Sequence, residues 1–229
     1  MIARAGHYEP IAREGYPFIA PPALLGLIFW WFGHPWVSFA FLAVAVAIVF
    51  FFRNPERTPP TGRGLFISPA DGTVAEIVED AHSENLPLLP LKRISVFMSV
   101  FNTHVNRSPI SGTVKAIKHV PGQFLDAREP ASSLLNEHNS LIIQNDEAMI
   151  EVVQIAGKIA RRIACWVREG DHVRQGERFG LIRFGSRLDI YLPQTVSFQV
   201  SVGTPVRAGV TVIAKAPTTA DPSIQAPKS

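Results

Sequence analysis

The residues that could do chemistry fall in four places. In RFGSRLDIYLP (Arg183 to Pro193), a Gly185-Ser186 pair separates two strand-like runs, Phe179-Leu181-Ile182-Phe184 and Leu188-Ile190-Leu192. Glycine allows a strained or closely approached backbone, and the serine sets a hydroxyl beside that peptide carbonyl. Taken alone, the pair reads as a turn. Asp71 lies in SPADG, where Asp-Gly by itself is a hairpin turn. His104 lies in FNTHVNRSP and His138 in NEHNS. Imidazole titrates near neutrality and suits acid or base work, though a lone histidine at a strand end is more often a surface residue. His119 and His172 sit in turn-like contexts and receive no role. Seven arginines (161, 162, 168, 174, 178, 183 and 187) fall within 27 positions, as a solvated basic face or one that meets anionic lipid headgroups.

These residues need elements to position them. Residues 1–17 are polar, and 18–52 carry no Lys, Arg, Asp or Glu. Gly33-His34-Pro35 splits this apolar stretch into two helical halves, with Trp30, Trp31 and Trp36 at the break. Each half is short for the roughly 30 Å core of a bilayer, so a hairpin dipping into or across the membrane is expected. The stretch is too long, and starts too late, for a signal peptide. Arg4 and Arg13 precede it, and Arg53, Arg57 and Arg63 follow. The positive-inside rule therefore places both flanks, and the domain behind them, on the cytoplasmic face of the cell membrane. RNPERTPPTGRG (53–64) reads as a connector, and 65–213 as a compact, mostly β (β-rich α+β) domain. Two echoes run through it. Ser68-Pro69-Ala70-Asp71-Gly72-Thr73-Val74 recurs as Ser108-Pro109-Ile110-Ser111-Gly112-Thr113-Val114. Gly170-x-x-Val173-x-x-Gly176 recurs as Gly203-x-x-Val206-x-x-Gly209. They predict two similar hairpin-like halves interleaved around one core. A helix is expected around Ala131 to His138, and a disordered tail over 214–229.

Composition narrows the function. The net charge is only +3, with no Lys/Arg block and no zinc-finger spacing, which argues against nucleic acid. The single cysteine, Cys165, excludes an internal disulfide and a multi-cysteine metal site; no metal is expected.

RFGSRLDIYLP resembles the self-processing site of the phosphatidylserine decarboxylases, in particular their short bacterial form. REGYPF, FFRNPER, SPADG, VFMSVFNTHVNRSP, VVQIAG, ARRI and GERFGLIRFGSR extend the resemblance from Glu14 to about Pro193. It implies that Ser186 Oγ attacks the Gly185 carbonyl to give an ester. β-Elimination then leaves a β chain of 1–185 and an α chain of 186–229, with a covalent pyruvoyl group (pyruvate) made from Ser186. That group would form a Schiff base with phosphatidylserine, whose decarboxylation yields phosphatidylethanolamine. By the same resemblance Asp71 orients a histidine in the processing apparatus. Many relatives have two histidines three apart; here His104 matches the first, and Arg107 stands in place of the second. Arginine is always protonated and is a poor base, so His104 is expected to serve catalysis, in one step or both, with His138 the second candidate for the base. Arg107 and His138 are then candidates for contacts with the lipid. The resemblance makes the partners a membrane lipid substrate and the two chains of one proenzyme.

Three other readings compete. EGDHVRQGERFGLI also reads like half of a membrane-anchored biotinyl or lipoyl carrier, but such a module needs a lysine at a hairpin tip, and only Lys215 and Lys228 follow Lys158. An adaptor with a lipoyl-like module would need a long heptad hairpin, and a zinc peptidase a His-x-His pair; neither pattern is present.

Overall fold

The computed structural model describes residues 8–86, 88–123, 135–157, 162–183 and 186–217. The apolar stretch forms two helices, α1 (Tyr16–Trp31) and α2 (Pro35–Phe51). Pro17 and Pro35 sit in their first turns, where a missing N–H costs nothing. Gly33, with φ of 75°, closes the turn between them. The helices approach closely at Gly26, where an added Cβ would lie 2.8 Å from the Leu42 side chain, and Ser38 Oγ donates to the Gly26 carbonyl at 2.7 Å. Large apolar side chains cover the outside: Trp31 is 86% exposed, Trp36 85% and Phe39 70%. At about 1.5 Å per residue, helices of 16 and 17 residues reach about 24–26 Å. Among the described residues no helix is long and apolar enough to cross a membrane.

The remainder is mostly β, with fourteen strands among the described residues. They are β1 (Leu65–Ile67), β2 (Gly72–Ala81), β3 (Leu91–Met98), β4 (Val105–Arg107), β5 (Gly112–Val120), β6 (His138–Gln144) and β7 (Met149–Ala156). They continue as β8 (Ile163–Cys165), β9 (His172–Val173), β10 (Arg178–Ile182), β11 (Ser186–Pro193), β12 (Ser197–Phe198), β13 (Pro205–Val206) and β14 (Val212–Lys215). The large sheet runs β13-β2-β3-β11-β7-β6-β5-β9; two three-stranded sheets, β1-β14-β12 and β4-β10-β8, complete the domain.

The sequence echoes are structural. β2 pairs with β13 through Thr73↔Pro205 and Gly72↔Val206, and β5 pairs with β9 through Thr113↔His172 and Gly112↔Val173. Gly203 N–H donates to the Val74 carbonyl and Gly170 N–H to the Val114 carbonyl, both at 2.8 Å. Gly170 and Gly203 have φ of 86° and 88°, a region L side chains enter only at a cost. Both long hairpins carry an irregularity at the same place, Val74/Glu76 and Val114/Ala116. The order of the large sheet is thus two interleaved four-strand halves that meet at β11 and β7.

Alternation puts Ile94, Val96, Met98, Leu188, Ile190 and Val152 on the inner face, where they form the core. The outer face of β11 carries Arg187 and Asp189, both buried. Arg187 Nε donates to Asp189 Oδ1 at 2.7 Å, and Nη2 to Ser95 Oγ and Glu76 Oε2 at 2.8 and 3.0 Å.

Two expectations change. β14 runs to Lys215, so Ala214 and Lys215 belong to a sheet rather than a tail; 218–229 lie outside the described residues. His138 opens β6 rather than ending a helix, because it completes the pairing of β6 with β5 and β7; 131–134 are not described. The connector 53–64 is bound along its length. Asn54 accepts from Arg178 Nε at 2.6 Å, the Pro55 carbonyl accepts from Arg107 Nη2 at 2.7 Å, and Pro59 packs under Gly176.

Candidate active site

One end of β11 gathers the site. Ser186 is fully buried on the inner face, opposite Met98 of β3 and Ala156 of β7. Its hydroxyl donates to Met98 Sδ at 3.4 Å. Four residues earlier, Ile182 N–H donates to the His104 carbonyl at 3.3 Å. The loop between β3 and β4 therefore brings His104 to the segment that leads into Ser186. Gly185 lies outside the described residues.

His104 is fully buried, its ring 4.2 Å from that of Phe51 at the end of α2. The root of the hairpin is packed there. Phe51 and Phe52 cluster with Ala12, Val105 and Leu181, and Ala12 N–H donates to the Phe52 carbonyl at 2.8 Å. His104 Nδ1 lies 3.0 Å from the Asn102 carbonyl. A carbonyl only accepts, so Nδ1 carries the hydrogen and Nε2 the lone pair. Nε2 is buried with no hydrogen-bond partner among the described residues. Burial pushes the imidazole pKa down to about 4; the Asn102 contact and the Asp71 carboxylate oppose this, and Arg53 adds to it. At neutral pH His104 is an uncharged base with an open nitrogen.

Asp71 does not bond to His104. Its carboxylate takes a forked pair from Arg57, Nη2 to Oδ2 at 2.8 Å and Nη1 to Oδ1, and accepts from Ala208 N–H at 2.8 Å. Burial works to raise its pKa, but the Arg57 bond and charge, the Ala208 N–H and the Thr103 hydroxyl outweigh it and hold the carboxyl below its ordinary value. The expected orienting role reaches His104 indirectly: Asp71 holds Thr103, the residue before it, and contributes its charge.

The two weaker candidates are placed elsewhere. Arg107 gives its guanidinium to backbone carbonyls, Gly176 at 2.9 Å and Pro55 at 2.7 Å, and only 4% of the residue is exposed. Burial first, then the charges of Arg178 and Arg57, lower its pKa to about 10. It clamps the connector to the domain rather than meeting lipid. His138 faces outward on β6, since its neighbour Asn139 bonds inward to Gln154, and its Nδ1 sits 2.8 Å from the Asn136 carbonyl. The arginine run does not form one face. Arg178 and Arg187 are buried in ion pairs with Glu56 and with Asp189, whereas Arg162, Arg168 and Arg174 are exposed.

A chain of buried amides leads to Ser186. Asn139 Nδ2 donates to Gln154 Oε1 at 3.0 Å, and Gln154 Nε2 to Asn106 Oδ1 at 2.8 Å. Asn106 Nδ2 lies 3.9 Å from the same Met98 sulfur that receives the Ser186 hydroxyl. Gly180 makes room for it, because a Cβ there would stand 3.0 Å from Gln154 Nε2 and 2.4 Å from the Ala164 carbonyl oxygen. An isolated polar residue inside an apolar strand was the available sequence signal, in VVQIAG and HVNRSP.

The site thus gathers Ser186 at a strand end, the neutral imidazole of His104 on the segment bonded to the chain leading into that strand, and the buried Asp71 carboxylate. The family model for phosphatidylserine decarboxylase matches residues 44–214. The chain belongs to the phosphatidylserine decarboxylase family. Its activity is the decarboxylation of phosphatidylserine, a lyase step of phospholipid biosynthesis. The carrier reading finds no support in the fold: the tip between β6 and β7 carries Asp146 and Glu147, and Lys215 lies in β14.

Proposed function

We propose that the chain cuts itself between Gly185 and Ser186 and carries a pyruvoyl group at position 186, with which it converts phosphatidylserine to phosphatidylethanolamine. The observation that carries this reading is the bond from Ile182 N–H, four residues before Ser186, to the His104 carbonyl, which brings near the strand end an imidazole whose open, uncharged Nε2 is the kind of group that could accept the serine proton. Ser186 Oγ forms a bond to the Gly185 carbonyl carbon, its proton passes to the base, and the C–N bond breaks as nitrogen takes a proton. Loss of the Cα hydrogen of residue 186 and rupture of Cβ–Oγ free the Gly185 carboxylate. Water then replaces nitrogen, which leaves as ammonia. The pyruvoyl carbonyl supplies an electrophile that binds the substrate amine and accepts the electron pair left when CO₂ departs.

The residues present fit such a group. Position 186 is fully buried and pinned between two strands, which would hold a reactive carbonyl in one place. β11 is central, β13 pairs with β2 and β14 with β1, so chains 1–185 and 186–229 stay joined after the cut. His104, once protonated, is a strong acid and can return a proton to the substrate carbon.

The exposed apolar side chains of α1 and α2, and Phe101 at 74% exposure on the loop before His104, support a reading in which the enzyme lies on the cytoplasmic leaflet. The hairpin root would then set the site at headgroup depth. Denaturing mass spectrometry tests the chemistry: the expected products are a fragment ending at Gly185 and one with a blocked N-terminus, while a single intact chain overturns the reading. Removing residues 1–52 is expected to weaken sedimentation with phosphatidylserine vesicles; unchanged binding in high salt would place the anchor elsewhere.

A further inference from the structure

We infer that Asn139, Gln154 and Asn106 form an amide relay that, through the sulfur of Met98, holds the Ser186 hydroxyl in one orientation ahead of self-cleavage. This rests on the self-cleavage reading and extends it to residues that touch neither substrate nor the scissile bond.

The polarity of the relay follows from its two ends. A thioether sulfur only accepts, so the groups facing Met98 Sδ must donate: the Ser186 O–H at 3.4 Å and the Asn106 N–H at 3.9 Å. Asn106 therefore turns its oxygen to Gln154, and Gln154 turns its oxygen to Asn139, at 2.8 and 3.0 Å. At the far end the Cys165 thiol donates to the Val167 carbonyl at 3.6 Å, which leaves its sulfur to accept from the Asn139 side chain. From Asn139 to the Met98 sulfur every link runs one way. The relay crosses from the large sheet to the β4-β10-β8 sheet, and Asn106, Gln154 and Ser186 are fully buried.

Burying three amides among Leu and Ile side chains is costly unless each is paired, and an apolar replacement would pack as well. What amides add is direction. Methionine has three flexible torsions, so its sulfur would wander without a fixed donor against it. A sulfur held by Asn106 fixes the Ser186 proton on one side and turns the oxygen lone pairs away from it. A thioether is too weak a base to take that proton, so the contact orients the hydroxyl without activating it. Removal of the proton is left to the base at the site.

The test uses the full chain and follows the rate of appearance of the two fragments by denaturing mass spectrometry. Met98→Leu keeps the volume and removes the acceptor; cleavage is expected to slow by about 10- to 100-fold, the usual result of a misplaced reacting group. Asn139→Asp tests the direction. The ionised carboxylate of that variant only accepts, so Gln154 and then Asn106 must turn over, and an oxygen faces the sulfur. Cleavage relative to wild type is expected to fall at neutral pH and recover as pH falls and the buried carboxyl regains a proton to donate. A purely structural defect would not recover on acidification, so this comparison decides the matter even if Met98→Leu folds poorly. If wild type cleaves and Asn139→Asp tracks it at every pH, or stays equally impaired at every pH, the relay is refuted while self-cleavage stands. If wild type itself stays intact, both fall.

Discussion

The two halves of the domain differ most where their central strands begin. In one half, β6 ends at Gln144, the chain turns through Asn145–Ala148, and β7 starts back at Met149; Asn145 N–H donates to the Ala148 carbonyl at 3.0 Å. In the other half, β3 ends at Met98 and its neighbour β11 starts at Ser186, but no turn joins them. Following the matched pairings, Val74↔Val96 beside Val114↔Ile143, places Ser186 where the closed half has Ala148. Asp71 likewise matches Ser111. Opening that turn leaves the end of β3 free to run into the loop that carries His104, and the start of β11 to be fed by β10. The difference teaches where the proposed chemistry fits a repeated scaffold: a cut just outside a central strand would leave that strand paired.

The comparison can be broken most directly at its centre. Ser186→Ala is expected to abolish cleavage and all decarboxylation, whereas Ala148→Ser, which puts a hydroxyl at the matching place in the closed turn, should yield no cut after residue 147. Intact mass of both variants checks this, and a cut in the second would mean that the opened turn is not what matters. His104→Ala should lower decarboxylation by about 10²–10⁴-fold, the usual worth of a positioned acid or base. If the variant also remains one chain, the same imidazole serves maturation. Normal turnover would remove His104 from the site.

Stability sharpens the contrast between Asp71 and Ser111. Asp71→Ala leaves Arg57 buried without its partner and should cost about 3–5 kcal/mol, while Ser111→Ala loses one exposed contact to Gln175 N–H and should cost about 1 kcal/mol or less. Urea unfolding in a Ser186→Ala background, where one chain unfolds, measures both. His104 adds a pH dependence. Its folded pKa is lowered, so the unfolded chain binds the proton first as pH falls. The stability of the neutral buried ring is complete above about 6.5 and lost towards about 4, a difference of about 3 kcal/mol. Replacing His104 with Gln should remove that slope from the unfolding free energy between these limits. The smallest effect tests the symmetry itself. Gly170→Ala and Gly203→Ala meet no atom within 4 Å, so each should cost only the backbone strain of about 1–2 kcal/mol, and the two costs should agree. Unequal melting shifts would show that the halves are not equally held.

The amino-acid sequence by itself determined the hairpin, the domain's β character, its paired halves and the likeness that singles out Gly185, Ser186 and His104. Those features are local: an uncharged run broken by Gly33 and Pro35, echoes at fixed offsets, and motifs read within a dozen residues. The tertiary structure alone decided what the charged and amide side chains do. Arg57 neutralises Asp71 and Arg107 is spent on the connector, because residues 53–64 fold back along the sheet and bring carbonyls and charges from far along the chain. Asn139 rather than His138 bonds Gln154 on the inner face, because one residue of register decides which side chain faces inward. The low pKa of His104 comes from the end of α2 closing over its ring, a contact between segments 53 residues apart. Pairing partners, inward or outward direction and desolvation are all set by contacts that the order of residues does not state, and they turn a motif into a site.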